Sequence, residues 1–304
     1  MLFAPMTATS FGIRTRKALC LLISCLGMFA EGYSQSGRSV QVQWQPAKLV
    51  NGSPVLFEVS TSTGVQSLSG IWFGHDLIFF RPGNGKLWYA LAGVPVETTP
   101  GRYALTIKQM LVSGKFTETL VKIKVASAPY PKITIKVAKQ FTEPDPEQLK
   151  EIAADKEVKQ KTFAVETPQR SWTGPFLPPV SAAVSDVFGT ARVINQEVKS
   201  RHLGLDYGVP TGTTVHAVNH GTVLLARPLF FEGNCVVLDH GQGLLSLYLH
   251  LSDFNVKEGD EVAPGQVIGL SGGTGRATGP HLHLAIRWQG VYLNPATLLK
   301  MRLP

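Results

Sequence analysis

The stretch Gly279-Pro-His-Leu-His-Leu-Ala-Ile286 (GPHLHLAI) places two histidines two positions apart in an apolar run. Gly279 and Pro280 interrupt regular structure, and the aliphatic residues after them predict a strand. Because side chains at i and i+2 of a strand point to the same side, His281 and His283 are expected on one face. Two neutral imidazoles on one face can share a metal or a substrate, and the alternative is two structural histidines at a strand end.

The surrounding segment, residues 179–304, reads as a strand-rich domain. Short strand patterns alternate there with Gly-rich turns, and no long amphipathic helix interrupts them. The patterns are TVHAV, GTVLLA, CVVLDH, LLSLYLHL, VIGLSG, LHLAIRW and VYLNP. This segment also holds seven of the eight histidines of the chain. We therefore predict a compact antiparallel β domain at 179–304.

Two further regions precede this domain. Residues 38–138 contain about seven short strand patterns separated by Asn-Gly and Pro-Gly turns, which predict an immunoglobulin-type β-sandwich. Residues 139–178 contain one predicted helix after Glu143-Pro-Asp-Pro-Glu147, followed by a Pro-rich extended stretch. We expect this part to be a linker with a solvated charged helix and an extended tether. The predicted fold class is thus all-β.

The N-terminus has the pattern of a signal peptide, predicted at residues 1–30. Arg14, Arg16 and Lys17 precede an apolar run of signal length. We therefore expect export to the periplasm, the cell envelope or the exterior, with a membrane tether if the signal is not cleaved. The chain carries a net charge of +8, which favours anionic surfaces such as a cell wall. No Lys/Arg block with interleaved aromatics predicts nucleic-acid binding.

Two other motifs contain residues that can bind a metal or move a proton. Arg201-His-Leu-Gly-Leu-Asp206 supplies a histidine and a carboxylate four apart, at His202 and Asp206. Catalytic zinc typically has three protein ligands, and these two with one histidine of the H-x-H pair would fill the set. In Ser246-Leu-Tyr-Leu-His250 we expect Tyr248 and His250 to share a strand face. A histidine that is not a ligand can act as a general base or stabilise an oxyanion.

Three motifs in the order H-x-x-x-D, Y-x-H and G-P-H-L-H lie within about 80 residues. With them, residues from about 180 to 299 resemble the lysostaphin/LytM-type zinc metallopeptidases, which cut peptide bridges in bacterial cell walls. The resemblance implies that His202, Asp206 and His283 bind one Zn²⁺ per chain. It implies that His250 and His281 are the catalytic pair that does not bind zinc.

The resemblance further implies endopeptidase action on peptidoglycan peptides. We expect contact with the cell envelope and a monomeric chain. One alternative is a non-catalytic LytM-like scaffold that binds the wall or activates an amidase, but such members have lost zinc ligands. Another is an adhesive β protein with a structural zinc, which usually has four protein ligands. The remaining histidines are interpreted as structural; they are His75, His216, His220 and His240.

Overall fold

The computed structural model describes residues 40–83, 85–194 and 198–304. The predicted signal peptide at residues 1–30 lies outside these ranges. Among the described residues, no helix is both long enough and apolar enough to cross a membrane. The chain is mostly β, as the alternating patterns predict.

The N-terminal part consists of eight strands in two sheets, within the described ranges. The strands are β1 (Gln41–Gln45), β2 (Leu49–Val50), β3 (Pro54–Ser60), β4 (Val65–Trp72), β5 (His75–Ile78), β6 (Leu87–Gly93), β7 (Gly101–Leu111) and β8 (Phe116–Ala126). One sheet has the order β1-β3-β6 and the other β2-β8-β7-β4-β5. Phe57 of the first sheet meets Trp72 of the second edge to face, with ring centroids 5.3 Å apart. The two sheets share a buried core, and the immunoglobulin-type topology stays a prediction.

One more strand, β9 (Lys132–Ile135), lies at the end of the segment predicted as the β-sandwich. The segment predicted as a linker, 139–178, begins with a 3₁₀ turn at Lys139–Phe141, and its α-helix is α1 (Pro146–Phe163). Asp145 caps this helix, because its carboxylate accepts from the backbone N–H groups of Glu147 and Gln148. Gln148 accepts in return from the backbone of Asp145, which completes a capping box. The helix is not fully solvated, since Val158 and Phe163 pack against an apolar cluster of the C-terminal sheet.

The Pro-rich stretch after α1 differs from the extended tether that the sequence predicts. Trp172 and Phe176 are fully buried. Trp172 packs edge to face on Phe80 of the N-terminal part, with ring centroids 5.3 Å apart, and lies 6.1 Å from Phe176. Thr167 donates a hydrogen bond to Asp239 of the C-terminal sheet. A run rich in proline gives no strand or helix pattern, so its burial follows from these two large aromatic side chains.

The C-terminal part is built on one large sheet with small strands at its edges. Its strands are β10 (Val184–Asp186), β11 (Ala191–Ile194), β12 (Val198–Arg201), β13 (Leu205–Tyr207), β14 (Thr214–His216), β15 (Gly221–Leu229), β16 (Gly233–Asp239), β17 (Leu244–Phe254), β18 (Glu261–Val262), β19 (Val267–Ser271), β20 (Leu282–Trp288) and β21 (Val291–Leu293), and a short helix α2 (Pro295–Leu298) follows. The main path is β10-β13-β20-β17-β16-β15-β18. A separate small sheet has the order β12-β11-β9, so the segment before α1 pairs with the C-terminal part.

Alternation along β20 assigns its residues to two faces of the sheet. Leu282, Leu284 and Ile286 belong to the main core, which continues into the N-terminal sheets. His283 and Ala285 lie on the opposite face, where they line a cavity with His281. The expectation that the two histidines of the G-P-H-L-H motif share one face is thus confirmed.

Strand β17 does not keep this alternation to its end. Tyr248 is buried in the main core, whereas Leu247 and Leu249 line the cavity on the other face. His250 also lines the cavity, although it lies two residues after Tyr248. Its φ of 63° and the shifts of register in β17 turn the side chain over to the face of Leu249. The expectation that Tyr248 and His250 share a strand face was therefore wrong.

Candidate metal centre

Three of the predicted site residues converge on one point of the large sheet. Asp206 in β13 is paired with His283 in β20, and Oδ1 of Asp206 lies 2.7 Å from Nδ1 of His283. His202, in the turn between β12 and β13, brings its Nε2 to 2.9 Å from the same oxygen and 3.0 Å from Nδ1 of His283. One atom from each of the three could hold a metal ion.

The outer hydrogen bonds of these residues leave the inner atoms free to coordinate. Nδ1–H of His202 donates to the backbone carbonyl of Val187 at 2.9 Å, which directs the Nε2 lone pair inward in the neutral ring. Arg192 donates to Oδ2 of Asp206 at 2.9 Å and leaves Oδ1 on the inner side. Arg192 also pairs with Asp186, which lies opposite Asp206 in the β10–β13 ladder. One guanidinium therefore bridges two carboxylates that face each other.

Sequence reasoning missed Asp186 and Arg192 as parts of this centre. Neither lies in one of the three motifs. Asp186 reaches the centre through the register of β10, and Arg192 through the turn that joins β10 to β11. No local pattern in the sequence carries that information, because both contacts depend on strand pairing.

The chemistry of the donor set fits zinc. Zinc accepts imidazole nitrogen and carboxylate oxygen, and a set of three leaves a fourth position open. Bonds of about 2.0–2.2 Å in a tetrahedron separate ligand atoms by about 3.3–3.6 Å. The separations of 2.7–3.0 Å between the three inner atoms are a few tenths of an ångström shorter than these values. Small side-chain shifts would bring the set to zinc geometry.

Glycine at position 204 makes room for this arrangement. A Cβ on Gly204 would lie 2.3 Å from Nε2 of His283 and 2.6 Å from the backbone carbonyl oxygen of Leu284. Contacts below about 3 Å cannot be accommodated without movement, and the carbonyl belongs to the sheet. The glycine inside the H-x-x-x-D motif therefore lets the turn approach β20 closely.

The protonation states of the inner groups suit metal binding. Burial raises the pKa of Asp206, but the hydrogen bonds and charges of His202 and His283 outweigh it and leave this pKa well below its usual range. Burial lowers the pKa of His283, which favours the neutral ring. A carboxylate and neutral imidazoles are the forms that coordinate a metal.

The other two predicted site residues lie beside the three. The rings of His250 and His281 are 4.7 Å apart, and Nε2 of His281 lies 3.9 Å from Oδ1 of Asp206. Nδ1–H of His250 donates to the carbonyl of Thr274, and Nδ1–H of His281 to that of Gly279, each at 2.8 Å. Burial, followed by the charges of His283 and His281, lowers the pKa of His250 to about 3. Because Nδ1–H is donated to a carbonyl in each ring, the neutral form of either ring has an unprotonated Nε2 that can accept a proton.

A cavity of about 780 Å³ extends from these five residues along the face of the large sheet. Its floor is apolar and includes Leu247, Leu249 and Ala285. Lys159 and Phe163 of α1 form part of its wall, and Lys159 pairs with Glu232 across the cavity edge at 2.6 Å. The cavity is thus bounded by both the sheet and α1.

The four histidines interpreted as structural do not line this cavity in the part of the chain that the structure describes. His75 packs against Trp288, with ring centroids 5.2 Å apart. His240 is fully buried, and its Nδ1–H donates to the carbonyl of His220 at 2.6 Å. Its Nε2 accepts from Ser246 at 2.7 Å, and His216 is hydrogen-bonded to Pro179.

Comparison with known proteins assigns residues 200–295 to the family described as Peptidase family M23. The chain is 44% identical over 103 residues to the peptidoglycan DD-endopeptidase ShyA of Vibrio cholerae, a match that covers 34% of this chain and 23% of that protein. It is 43% identical over 97 residues to the DD-carboxypeptidase/endopeptidase Mpg of Neisseria meningitidis, covering 32% and 22% of the two chains. The matched segment spans about a quarter of the length of these relatives.

Similarity to one solved structure extends beyond that segment. A crystal structure from Pseudomonas aeruginosa, described as a peptidase M23, superposes with a TM-score of 0.63 at 28% identity. The superposition covers 83% of this chain and 95% of the other. The likeness therefore includes much of the N-terminal part as well as the region of the candidate metal centre.

Proposed function

Residues 200–295 form a peptidase family M23 domain, and from this we propose that the chain is a zinc-dependent endopeptidase of bacterial cell-wall peptidoglycan. The observation that carries the proposal is the convergence of five residues at one end of one cavity. They are His202, Asp206, His250, His281 and His283. The domain resembles ShyA, which is named a peptidoglycan DD-endopeptidase, and Mpg, which is named a DD-carboxypeptidase/endopeptidase. The name of ShyA supports the choice of substrate.

In this proposal His202, Asp206 and His283 hold one zinc ion per chain. When bound, zinc supplies a water of lowered pKa and polarises the carbonyl of the peptide bond. Arg192 orients Asp206 by a hydrogen bond to Oδ2, and the Val187 carbonyl orients His202 by accepting from Nδ1–H. Both atoms face away from the candidate metal centre, so the inner atoms are left to coordinate zinc.

The roles of His250 and His281 follow from their hydrogen bonds. Each ring donates Nδ1–H to a backbone carbonyl, so the neutral ring accepts a proton at Nε2. One of them takes the proton of the attacking water. The ring that is protonated then donates Nε2–H to the oxyanion or to the leaving amine. A rigid carbonyl partner for each ring holds its tautomer and orientation through these steps.

The rest of the chain fits an exported enzyme of the cell envelope. The predicted signal peptide supports placement outside the cytoplasm. Without its Arg14, Arg16 and Lys17 the net charge falls from +8 to +5, which still favours an anionic wall. An open cavity along a sheet suits an extended peptide, and we propose that a monomer acts on it. The scaffold alternative is less favoured, because the full set of five residues is present.

Digestion of purified peptidoglycan by the zinc-loaded chain tests the proposal. We expect soluble fragments with newly exposed peptide ends, identified by mass spectrometry, and loss of the products with a chelator. The His281→Ala variant serves as the inactive control. Folded, zinc-loaded protein that releases no fragment, but binds peptidoglycan, would favour the scaffold alternative.

A further inference from the structure

The wall of the cavity carries more basic than acidic side chains, and most of the basic groups are already paired. The basic residues of the wall are Lys156, Lys159, Arg192, Arg201 and Arg276. Arg192 pairs with Asp186 and Asp206, Lys159 with Glu232, and Arg201 with Glu97. Lys156 is exposed on α1 and therefore hydrated.

Arg276 is the half-buried cation of this wall that lacks such a partner. Within the described ranges, its guanidinium forms no ion pair and no hydrogen bond, and it lies over the ring of Phe231 with Cζ 4.8 Å from the centroid. The nearby carboxylate of Glu232 is bound by Lys159 through Oε1, and its buried Oε2 has no hydrogen-bond partner among the described residues. Burial lowers the pKa of Arg276, with Glu232 opposing and Arg192 reinforcing the shift. A guanidinium that loses hydration without a hydrogen bond to an anion is costly, so a ligand that presents a carboxylate to it fits there.

The backbone fixes Arg276 relative to the catalytic pair. Its N–H donates to the carbonyl of Phe231 at 2.9 Å. The preceding Gly275 has a φ of 67°, and a Cβ there would lie 2.3 Å from the backbone nitrogen of Gly233. One residue earlier, the carbonyl of Thr274 accepts the hydrogen bond from His250. The same short loop therefore positions His250 and Arg276 on one cavity.

We propose that the guanidinium of Arg276 binds a carboxylate of the substrate peptide and so positions the peptide beside His250 and His281. This inference rests on the proposed function and names a feature of the substrate, a free carboxylate close to the bond that is cut. The planar guanidinium can donate two parallel hydrogen bonds to a carboxylate, which gives orientation as well as affinity. Arg276 is thus a specificity-determining residue and not a group that moves protons.

Two sources of the carboxylate have the same chemistry, the C-terminus of the peptide and an acidic side chain. The test uses three synthetic peptides based on the fragments that the enzyme releases: one with both carboxylates, one with a C-terminal carboxamide, and one with the side-chain carboxylate amidated. The kcat/KM of the full zinc-loaded chain is measured on all three. The variants are Arg276→Gln and Arg276→Lys, and Arg227→Gln is the control, since Arg227 pairs with Glu258 on the surface and does not line the cavity.

We expect the wild-type chain to prefer the fully acidic peptide over one of the two amides by about 10- to 100-fold, the range for hydrogen bonds to a charged group. Arg276→Gln should reduce this preference to less than about threefold, while its activity on the matching amide stays near that of the wild type. Arg276→Lys should keep part of the preference, and Arg227→Gln all of it. The amide that is discriminated against identifies the source of the carboxylate.

Equal hydrolysis of the three peptides by the wild type overturns the inference and leaves the proposed function intact. An equal loss on all three in Arg276→Gln also overturns it, because that pattern indicates a structural role. Binding of the same peptides is also measured to the zinc-loaded His281→Ala variant, with and without Arg276→Gln. This measurement distinguishes a failure of the inference about Arg276 from a failure of the proposed function. If the wild type cleaves nothing but binding depends on the carboxylate and on Arg276, the proposed function fails and the carboxylate site stands. If neither cleavage nor carboxylate-dependent binding occurs, both are wrong.

Discussion

Asp206 and His283 face each other across the β13–β20 ladder, and Oδ1 of Asp206 lies 2.7 Å from Nδ1 of His283. The candidate metal centre is therefore built on paired strands as well as on a turn. A slip of the register by one residue would turn His283 into the main core and move Leu282 or Leu284 to the cavity face. Sites held by strands in this way are more rigid than sites built on loops alone.

Gly204→Ala should weaken zinc binding, because the new Cβ would collide with the His283 ring and with the backbone of Leu284. We expect a loss of about 1–3 kcal/mol in stability from the forced shift and a clear fall in zinc affinity. Competition with a chromophoric chelator measures the affinity, and urea unfolding measures the stability. Gly212→Ala is a matched control for a glycine in open space, although its φ of 88° adds local strain. Unchanged zinc affinity in Gly204→Ala would show that the turn can move away from β20.

The two histidines of the G-P-H-L-H motif should respond differently to replacement. His283→Ala removes one of three zinc ligands, so zinc content and activity should both fall sharply. His281→Ala leaves His202, Asp206 and His283 in place, so zinc should stay near one equivalent while hydrolysis drops by on the order of a hundredfold or more. Elemental analysis beside turnover checks both, and His216→Ala is the control. Zinc loss in His281→Ala with zinc retained in His283→Ala would reverse the two roles.

Arg192→Gln should lower zinc affinity by about 10- to 100-fold, as is typical for groups that hold a ligand in place. Its guanidinium separates the carboxylates of Asp186 and Asp206, so the variant leaves two like charges facing each other. Arg227→Gln loses only an exposed ion pair and should bind zinc like the wild type. If Arg192→Gln keeps full affinity, the orientation of Asp206 does not depend on this contact.

Acid should destabilise the chain through His240, which does not line the cavity. Burial lowers the pKa of His240 to about 4, whereas an unfolded histidine titrates near 6.5. Between these values the unfolded state binds more protons, so stability falls as pH decreases from about 6.5 to 4. The difference corresponds to about 3 kcal/mol. Urea unfolding of the wild type and of His240→Gln across this range should show the steeper loss in the wild type, and NMR titration of the His240 ring should show no protonation near pH 6.5.

Trp172→Ala should destabilise the whole chain and not merely loosen a linker. The side chain is fully buried between Phe80 and Phe176, and truncation of a buried tryptophan costs about 3–5 kcal/mol. Leu177→Ala, at an exposed position of the same stretch, should cost less than about 1 kcal/mol. Similar free energies of unfolding for the two variants would support the prediction that this stretch is an extended tether.

The sequence by itself determined much of the candidate site. The period of two in His281-Leu-His283 places both rings on one face of a strand, because successive side chains of a strand alternate. The spacing of strand patterns and turns predicted the β-rich architecture of residues 179–304 and the presence of strands in residues 38–138. The resemblance carried by three ordered motifs implied the five residues that the structure brings to one cavity. The first two inferences depend only on residues close in the chain, whereas the third depends on the order of motifs spread over about 80 residues.

Tertiary structure decided what depends on pairing and packing. His250 reaches the cavity through a φ of 63° and a shift of register, which no alternation rule predicts. Asp186 and Arg192 join the centre through the β10–β13 ladder, and Trp172 is buried by rings from distant parts of the chain. Among the described residues Arg276 has no ion pair, whereas Lys159 of α1 pairs with the neighbouring Glu232. The physical reason is the same in each case. The free energy of these contacts comes from partners that are mostly tens to hundreds of residues away, and the local sequence does not determine which partner a side chain contacts.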